Sequence, residues 1–159
     1  MRTLIIWALC LNLLFGASYD FDEIKFIAAL EQESKKSGHI DIEASKVQII
    51  YYSPTFKKIV KTDENLTIEG KDGDIYALKG KALFYTRQFI SVMSSLGEYQ
   101  ELKTNPAFRL EQEGDEYIVN FMGDIADIIS QAIVHVKNEK VSRFKMLMHN
   151  GDTLEIIKK

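Results

Sequence analysis

Cysteine is almost absent from the sequence: Cys10 is the one such residue in 159. It lies in an apolar opening stretch. The rest of the chain therefore has no disulfide framework, no cysteine zinc site and no thiol nucleophile. Histidine is nearly as scarce. His39, His135 and His149 are scattered, and no H-x-x-x-H or H-E-x-x-H spacing occurs among them. Surface or strand-edge positions are expected for all three. There is no G-x-S-x-G element. Gly70, Gly73, Gly80 and Gly97 do not form a phosphate-binding loop, and the turn "GKDGD" (70–74) is acidic and would repel phosphate. Asp124 and Asp127 form a close carboxylate pair, but a solvated loop accounts for them as well as acid–base chemistry does. The expectation is a protein that is not an enzyme and needs no cofactor or metal. Proline is limited to Pro54 and Pro106, both read as strand boundaries.

The opening residues "MRTLIIWALCLNLLFGAS" are read separately from the domain. Arg2 precedes an apolar run from Leu4 to Phe15, and small residues follow at Gly16, Ala17 and Ser18. This is the layout of a cleaved secretory signal peptide over residues 1–18. The run is short for a membrane span. Residues 19–159 are then one domain, large enough for a single core. Loss of Arg2 leaves 19 basic against 23 acidic side chains, a net charge of −4. An acidic surface excludes nucleic acid as a default partner. Export without disulfides points to a bacterial periplasm. Asn65-Leu66-Thr67 is an N-glycosylation sequon, a tripeptide common by chance.

Two helices are expected. "DFDEIKFIAALEQESKKSG" offers Asp20 and Glu23 as a capping box and Ile24, Ile27 and Ala28 as an apolar stripe, predicting a helix over 21–37. "KALFYTRQFISVMSSLG" places Tyr85, Phe89, Val92, Met93 and Leu96 at helical spacing, with Gly97 as the stop. The remainder reads as eight or nine strands joined by hairpins. "HIDIEA" alternates apolar and polar residues. "AFRLEQEGDEYIVNF" is a hairpin with Phe108, Leu110, Tyr117, Val119 and Phe121 toward the core. The final stretch gives three strands, with a strong turn at Asn150-Gly151 and with Phe144, Met146 and Met148 on one face. "MGDIADIIS" (122–130) fits a loop or one helical turn. The fold class is α+β: one large, strongly curved antiparallel sheet with helices against one face.

What rises above background is apolar surplus. "VQIIYY" (47–52), "IVHV" (133–136) and "MLM" (146–148) are apolar on both faces. The expectation drawn from this is an apolar cavity between sheet and helices, lined by Ile50, Tyr52, Phe89, Met93, Phe144, Met146 and Met148. Which strand face points inward depends on register. The alternative is a protein-interaction or assembly module with a filled core and no ligand, using Tyr51, Tyr52 and Phe56 as an exposed patch.

The order of elements, with "YYSPTFKKIVK", "DGDIYAL", "EGDEYIVNF" and "NGDTLEI" between Phe21 and Ile156, resembles the periplasmic outer-membrane lipoprotein carrier family of the LolA type. The resemblance implies an unclosed antiparallel β-barrel with helices as a lid over an apolar cavity. It further implies a monomeric carrier of acylated lipoproteins from inner to outer membrane. An inner-membrane release complex would be its donor and an outer-membrane protein its acceptor. Members carry an arginine on an early strand that holds the lid closed. The corresponding stretch here, residues 39–60, has none, and Lys46, Lys57 and Lys58 lack the planar guanidinium fork. The "F-x-Q" early-strand pattern is also absent.

Overall fold

Eleven antiparallel strands form one open sheet in the computed structural model, which describes residues 16–159. The strands are β1 (Ala17–Ile27), β2 (Gln32–Ile42), β3 (Lys46–Ser53), β4 (Lys57–Thr62), β5 (Leu66–Gly70), β6 (Ile75–Ala77), β7 (Phe108–Glu113), β8 (Glu116–Phe121), β9 (Ile129–Lys137), β10 (Lys140–Met148) and β11 (Thr153–Lys158). Their spatial order is β6-β5-β4-β3-β2-β1-β11-β10-β9-β8-β7. The chain thus makes two meanders of hairpins, joined where β1 pairs with β11. The edges β6 and β7 do not meet. Two helices, α1 (Gly80–Leu96) and α2 (Tyr99–Thr104), connect the meanders.

The C-terminal meander follows the alternation of its sequence. Val134, Phe144 and Ile156 are paired across β9, β10 and β11 and share one fully buried face. The turn between β9 and β10 is closed by Asn138 and Glu139 at φ 51° and 59°, the two left-handed residues a tight hairpin needs. Tyr117, Val119 and Phe121 are buried, with Phe108 and Leu110 packed against them. Residues 124–127 form one 3-10 turn between β8 and β9, with Asp124 and Asp127 both exposed.

The N-terminal meander corrects the first helix expected from the sequence. Residues 17–42 are not helical over 21–37. They form a long hairpin in which the eleven residues of β1 pair with those of β2, from Ala17–Ile42 to Ile27–Gln32. The supposed capping box is split across the sheet. Asp20 faces outward to His39, and Glu23 faces inward to Tyr51. Phe21 and Ile40 are fully buried on the inner face, whereas Leu30, within the expected helix, is 60% exposed at the hairpin tip. Period-2 burial against the neighbouring strands outweighs local helix propensity here. Gly38, just past the end of the expected helix, lies within β2 beneath the Phe21 ring. A Cβ there would stand 2.6 Å from the Ile50 carbonyl oxygen and 2.9 Å from the Phe21 ring. Close approach of the next strand, and not a turn, requires glycine at this point.

Helix α1 matches its expected span and packs Ile90, Val92, Met93 and Leu96 onto the inner face of the sheet. Its C-terminus is fixed at the middle of the sheet. Lys158 Nζ donates to the Gly97 carbonyl at 2.5 Å and lies 4.2 Å from the centre of the Tyr19 ring. A cation at the negative end of the helix dipole suits that position. Gly97 lies so close to Tyr19 that an added Cβ would stand 2.6 Å from the tyrosine oxygen. In the first two turns of α1 Leu83 packs against the core, while Phe84 and Tyr85 stay exposed with their rings in edge contact, 5.5 Å between centroids. Among the described residues, no helix is long and apolar enough to cross a membrane.

Candidate functional site

Register decides which face each apolar residue of β3 presents. Ile49 pairs with Ile40 and Tyr51 with Gly38, so Val47, Ile49 and Tyr51 face the core. Ile50 pairs with His39 and stands on the outer face, as does Tyr52, which is 52% exposed. The expected inward parity of Ile50 and Tyr52 is therefore reversed, because the β1–β2 hairpin sets the register that β3 must follow. The other five expected lining residues lie on α1 and β10. Met93, Phe144 and Met146 are buried in the core, and Phe89 and Met148 pack against it. They contribute to a filled part of the inner face.

The inner face remains open at its β2–β6 end. There a groove of about 490 Å³ is lined by Lys36 from β2, Tyr51 from β3, the turn Pro54–Phe56, Lys57 from β4, Ile68 and Gly70 from β5, Lys71 and Asp72 from the next turn, and Tyr76 from β6. Neither helix contributes to this lining. Phe56 and Tyr76 stand at its lip, partly in solvent. The exposed Phe84 and Tyr85 follow within a few residues of β6 along the chain. The volume falls in the range of small-molecule sites, which are mostly apolar with a few placed polar groups. From the sequence, Tyr51 and Phe56 belong to the alternative exposed patch, and Lys57 is weighed as a replacement for the missing arginine. Ile68 and Tyr76 carried no signal beyond ordinary alternation.

One polar network lies at the inner end of this groove. Glu23 is buried, the one charged side chain so placed among the described residues. Tyr51 donates its hydroxyl to Glu23 Oε2 at 2.5 Å, and Lys36 Nζ lies 3.6 Å from Glu23 Oε1. Burial, followed by the Glu23 charge, pushes the Tyr51 hydroxyl well above its ordinary range and keeps it a donor. Lys36 also sits over the Tyr51 ring, 5.2 Å from its centre. Lys57 is pushed below the usual lysine range, first by burial and then by Lys36. No group of His, Cys, Asp and Glu suited to a metal ion occurs among the described residues.

The early strands carry no arginine, but Arg87 of α1 donates to the Thr62 carbonyl at the end of β4, at 2.9 Å. The cation is on the helix and its acceptor is backbone.

On the outer face, His39 lies between two carboxylates, with Nδ1 2.7 Å from Asp20 and Nε2 3.2 Å from Asp41. Ser18 Oγ reaches both His39 and Asp41. Expected residues 1–18 of the leader lie outside the described residues up to position 15, while Ala17 and Ser18 stand in β1. The hydrogen bond that His39 donates to Asp20 is the main cause that raises the His39 pKa above 6.5. A raised folded pKa means that this histidine stabilises the fold fully below its unfolded pKa of about 6.5, and that the contribution is lost as pH rises through the folded value. The urea midpoint of the wild type should therefore exceed that of His39→Gln most at pH 5.5, with the gap narrowing steadily toward pH 8.

No family model matches the chain, and neither does any curated protein. Solved structures similar to it include a DUF1329 family protein from Desulfovibrio piger, 8% identical with a TM-score of 0.47, covering 97% of this chain and 88% of that one. A LolA superfamily protein from Nitrosomonas europaea is 7% identical with a TM-score of 0.43, covering 93% and 87%. An outer membrane lipoprotein-sorting protein domain from Vibrio parahaemolyticus is 8% identical with a TM-score of 0.41, covering 91% and 83%.

Proposed function

We propose that this protein is a non-catalytic carrier that shields acyl chains in the open end of its inner sheet face. The observation that carries this reading is the groove of about 490 Å³ floored by Tyr51 and Ile68 and lipped by Phe56 and Tyr76. Covering an acyl chain requires apolar area: each methylene kept from water contributes about 0.8 kcal/mol. A chain of a dozen methylenes thus gains on the order of 10 kcal/mol from contacts that need no polar constellation. An open lip lets the cargo leave without unfolding the core. With the leader read from the sequence, the site of action is the periplasm. The resemblance makes the acylated amino terminus of a lipoprotein the cargo, moved between an inner-membrane donor and an outer-membrane acceptor.

A neutral apolar fluorophore, Nile red, should bind saturably and be displaced by a synthetic lipopeptide. Tyr76→Asp removes apolar cover at a half-exposed position and should weaken displacement about tenfold, equivalent to about 1.4 kcal/mol. Organic extracts of protein purified from its native cells should contain acyl chains by mass spectrometry. If the fluorophore does not bind and no acyl chain is extracted, the exposed aromatic residues serve a protein partner instead.

A further inference from the structure

We propose that the cargo groove selects acyl chains that end in an anionic head, and that Lys57 is the side chain that holds it. The inference rests on the acyl-carrier reading and adds the charge of the ligand. Three of the residues lining the groove are lysines, Lys36, Lys57 and Lys71, against one carboxylate, Asp72. Beneath them Glu23 is already shared by Lys36 and the Tyr51 hydroxyl. Lys57 has no carboxylate within 4.0 Å among the described residues, although it is half-buried. Lys25, two residues along β1 from Glu23, adds a further positive charge close enough to disfavour the Lys57 ammonium. Glu23 offsets part of that repulsion from a distance, but no carboxylate touches Lys57, and a half-buried ammonium beside two like charges favours an anionic partner in contact.

Position gives this surplus a use. Lys57 opens β4, pairs with Tyr51 and Gly70, and shares the inner face with Ile68 and Tyr76. A carboxylate or phosphate beside Lys57 would leave its chain running over Tyr51, Ile68 and Tyr76. The ligand is therefore an acyl chain whose head carries a carboxylate or a phosphate. Lys58 is the natural control. It is the next residue, carries the same charge and faces the other way, opposite Ile50 and Glu69.

The test displaces Nile red from the full chain with four single-chain ligands below their micelle concentrations. These are palmitate, palmitoyl-lysophosphatidylglycerol, monopalmitoylglycerol and hexadecyltrimethylammonium. Palmitate and the lysophospholipid should compete at least tenfold more tightly than the neutral ligand, and the cation most weakly. Preference for one anion over the other identifies the head as carboxylate or phosphate. Lys57→Gln should abolish the preference, Lys57→Arg should restore it, and Lys58→Gln should have no effect. Raising salt from 50 to 500 mM should narrow the gap in the wild type. Equal competition by palmitate and monopalmitoylglycerol overturns the anionic head and leaves the carrier reading intact. Equal loss of both ligands in Lys57→Gln has the same meaning. Failure of all four ligands to displace the fluorophore removes both.

Discussion

Truncating Phe144 to alanine should destabilise the protein by about 3–5 kcal/mol, the range for deleting a buried aromatic ring. Phe144 is fully buried in β10 and pairs with Ile156 on one side and Val134 on the other, both also fully buried. Strands fixed by hydrogen bonds on both sides leave little room to collapse into the gap, so the upper half of that range is expected. A domain of this size holds about 5–15 kcal/mol in all, so the loss removes a large share of it. Urea unfolding should show a clearly lower midpoint with an unchanged slope, since the area exposed on unfolding hardly alters. Met148, half-buried on the same strand, gives the internal comparison: its truncation should cost well under half as much. Equal losses at the two positions would mean that the inner face is not packed as described.

Removing one hydroxyl from the network under the groove should be the second large effect. Tyr51→Phe deletes the donor to Glu23 Oε2 and leaves that carboxylate buried with Lys36 alone nearby. An unsatisfied buried group costs about 1–3 kcal/mol, with charged groups at the upper end. The double variant Glu23→Leu with Tyr51→Phe should recover most of that loss, because it removes the charge together with its donor. The coupling energy from a double-mutant cycle should exceed about 0.5 kcal/mol. A network that merely sat in water would give additive, small effects. Destabilisation by Tyr51→Phe with no recovery in the double variant would place the role of the hydroxyl elsewhere.

The two halves of the sheet differ in how plainly the sequence announces them. In the C-terminal half, alternation and turn chemistry agree. Asn150-Gly151 and the glycine at 114, both with positive φ at the glycine, mark their hairpins, and β7 to β11 fall where alternation puts them. In the N-terminal half they conflict. The tip of the β1–β2 hairpin, Ala28–Glu31, contains no glycine or asparagine, and its left-handed position is taken by Glu31 at φ 50°. Without a turn signal, the chance spacing of Ile24, Ile27 and Ala28 reads as a helical stripe. That one misreading carries through to the site. The parity of "VQIIYY" is ambiguous by itself because both faces are apolar, and it is resolved only by pairing Ile49 with Ile40. The strand count is likewise low, since most of β1 and the first half of β2 stand where a helix was expected. The groove is less legible still. It consists of what α1 leaves uncovered, and no local pattern records where a helix stops short.

The pairing of β1 with β11 has a consequence for how the molecule assembles. Most strand pairs join neighbours in sequence and can form as soon as their hairpin exists. The β1–β11 seam joins Phe21 to Lys158, across nearly the whole domain, and it lies in the middle of the sheet. Closing so long a loop delays that contact relative to the local hairpins. Each meander can therefore form early, while their union, together with the Lys158 bond that fixes the end of α1, must await the last strand. Until then both halves present an unpaired central strand. The interval before β11 docks is when this protein is most exposed to pairing with the wrong chain.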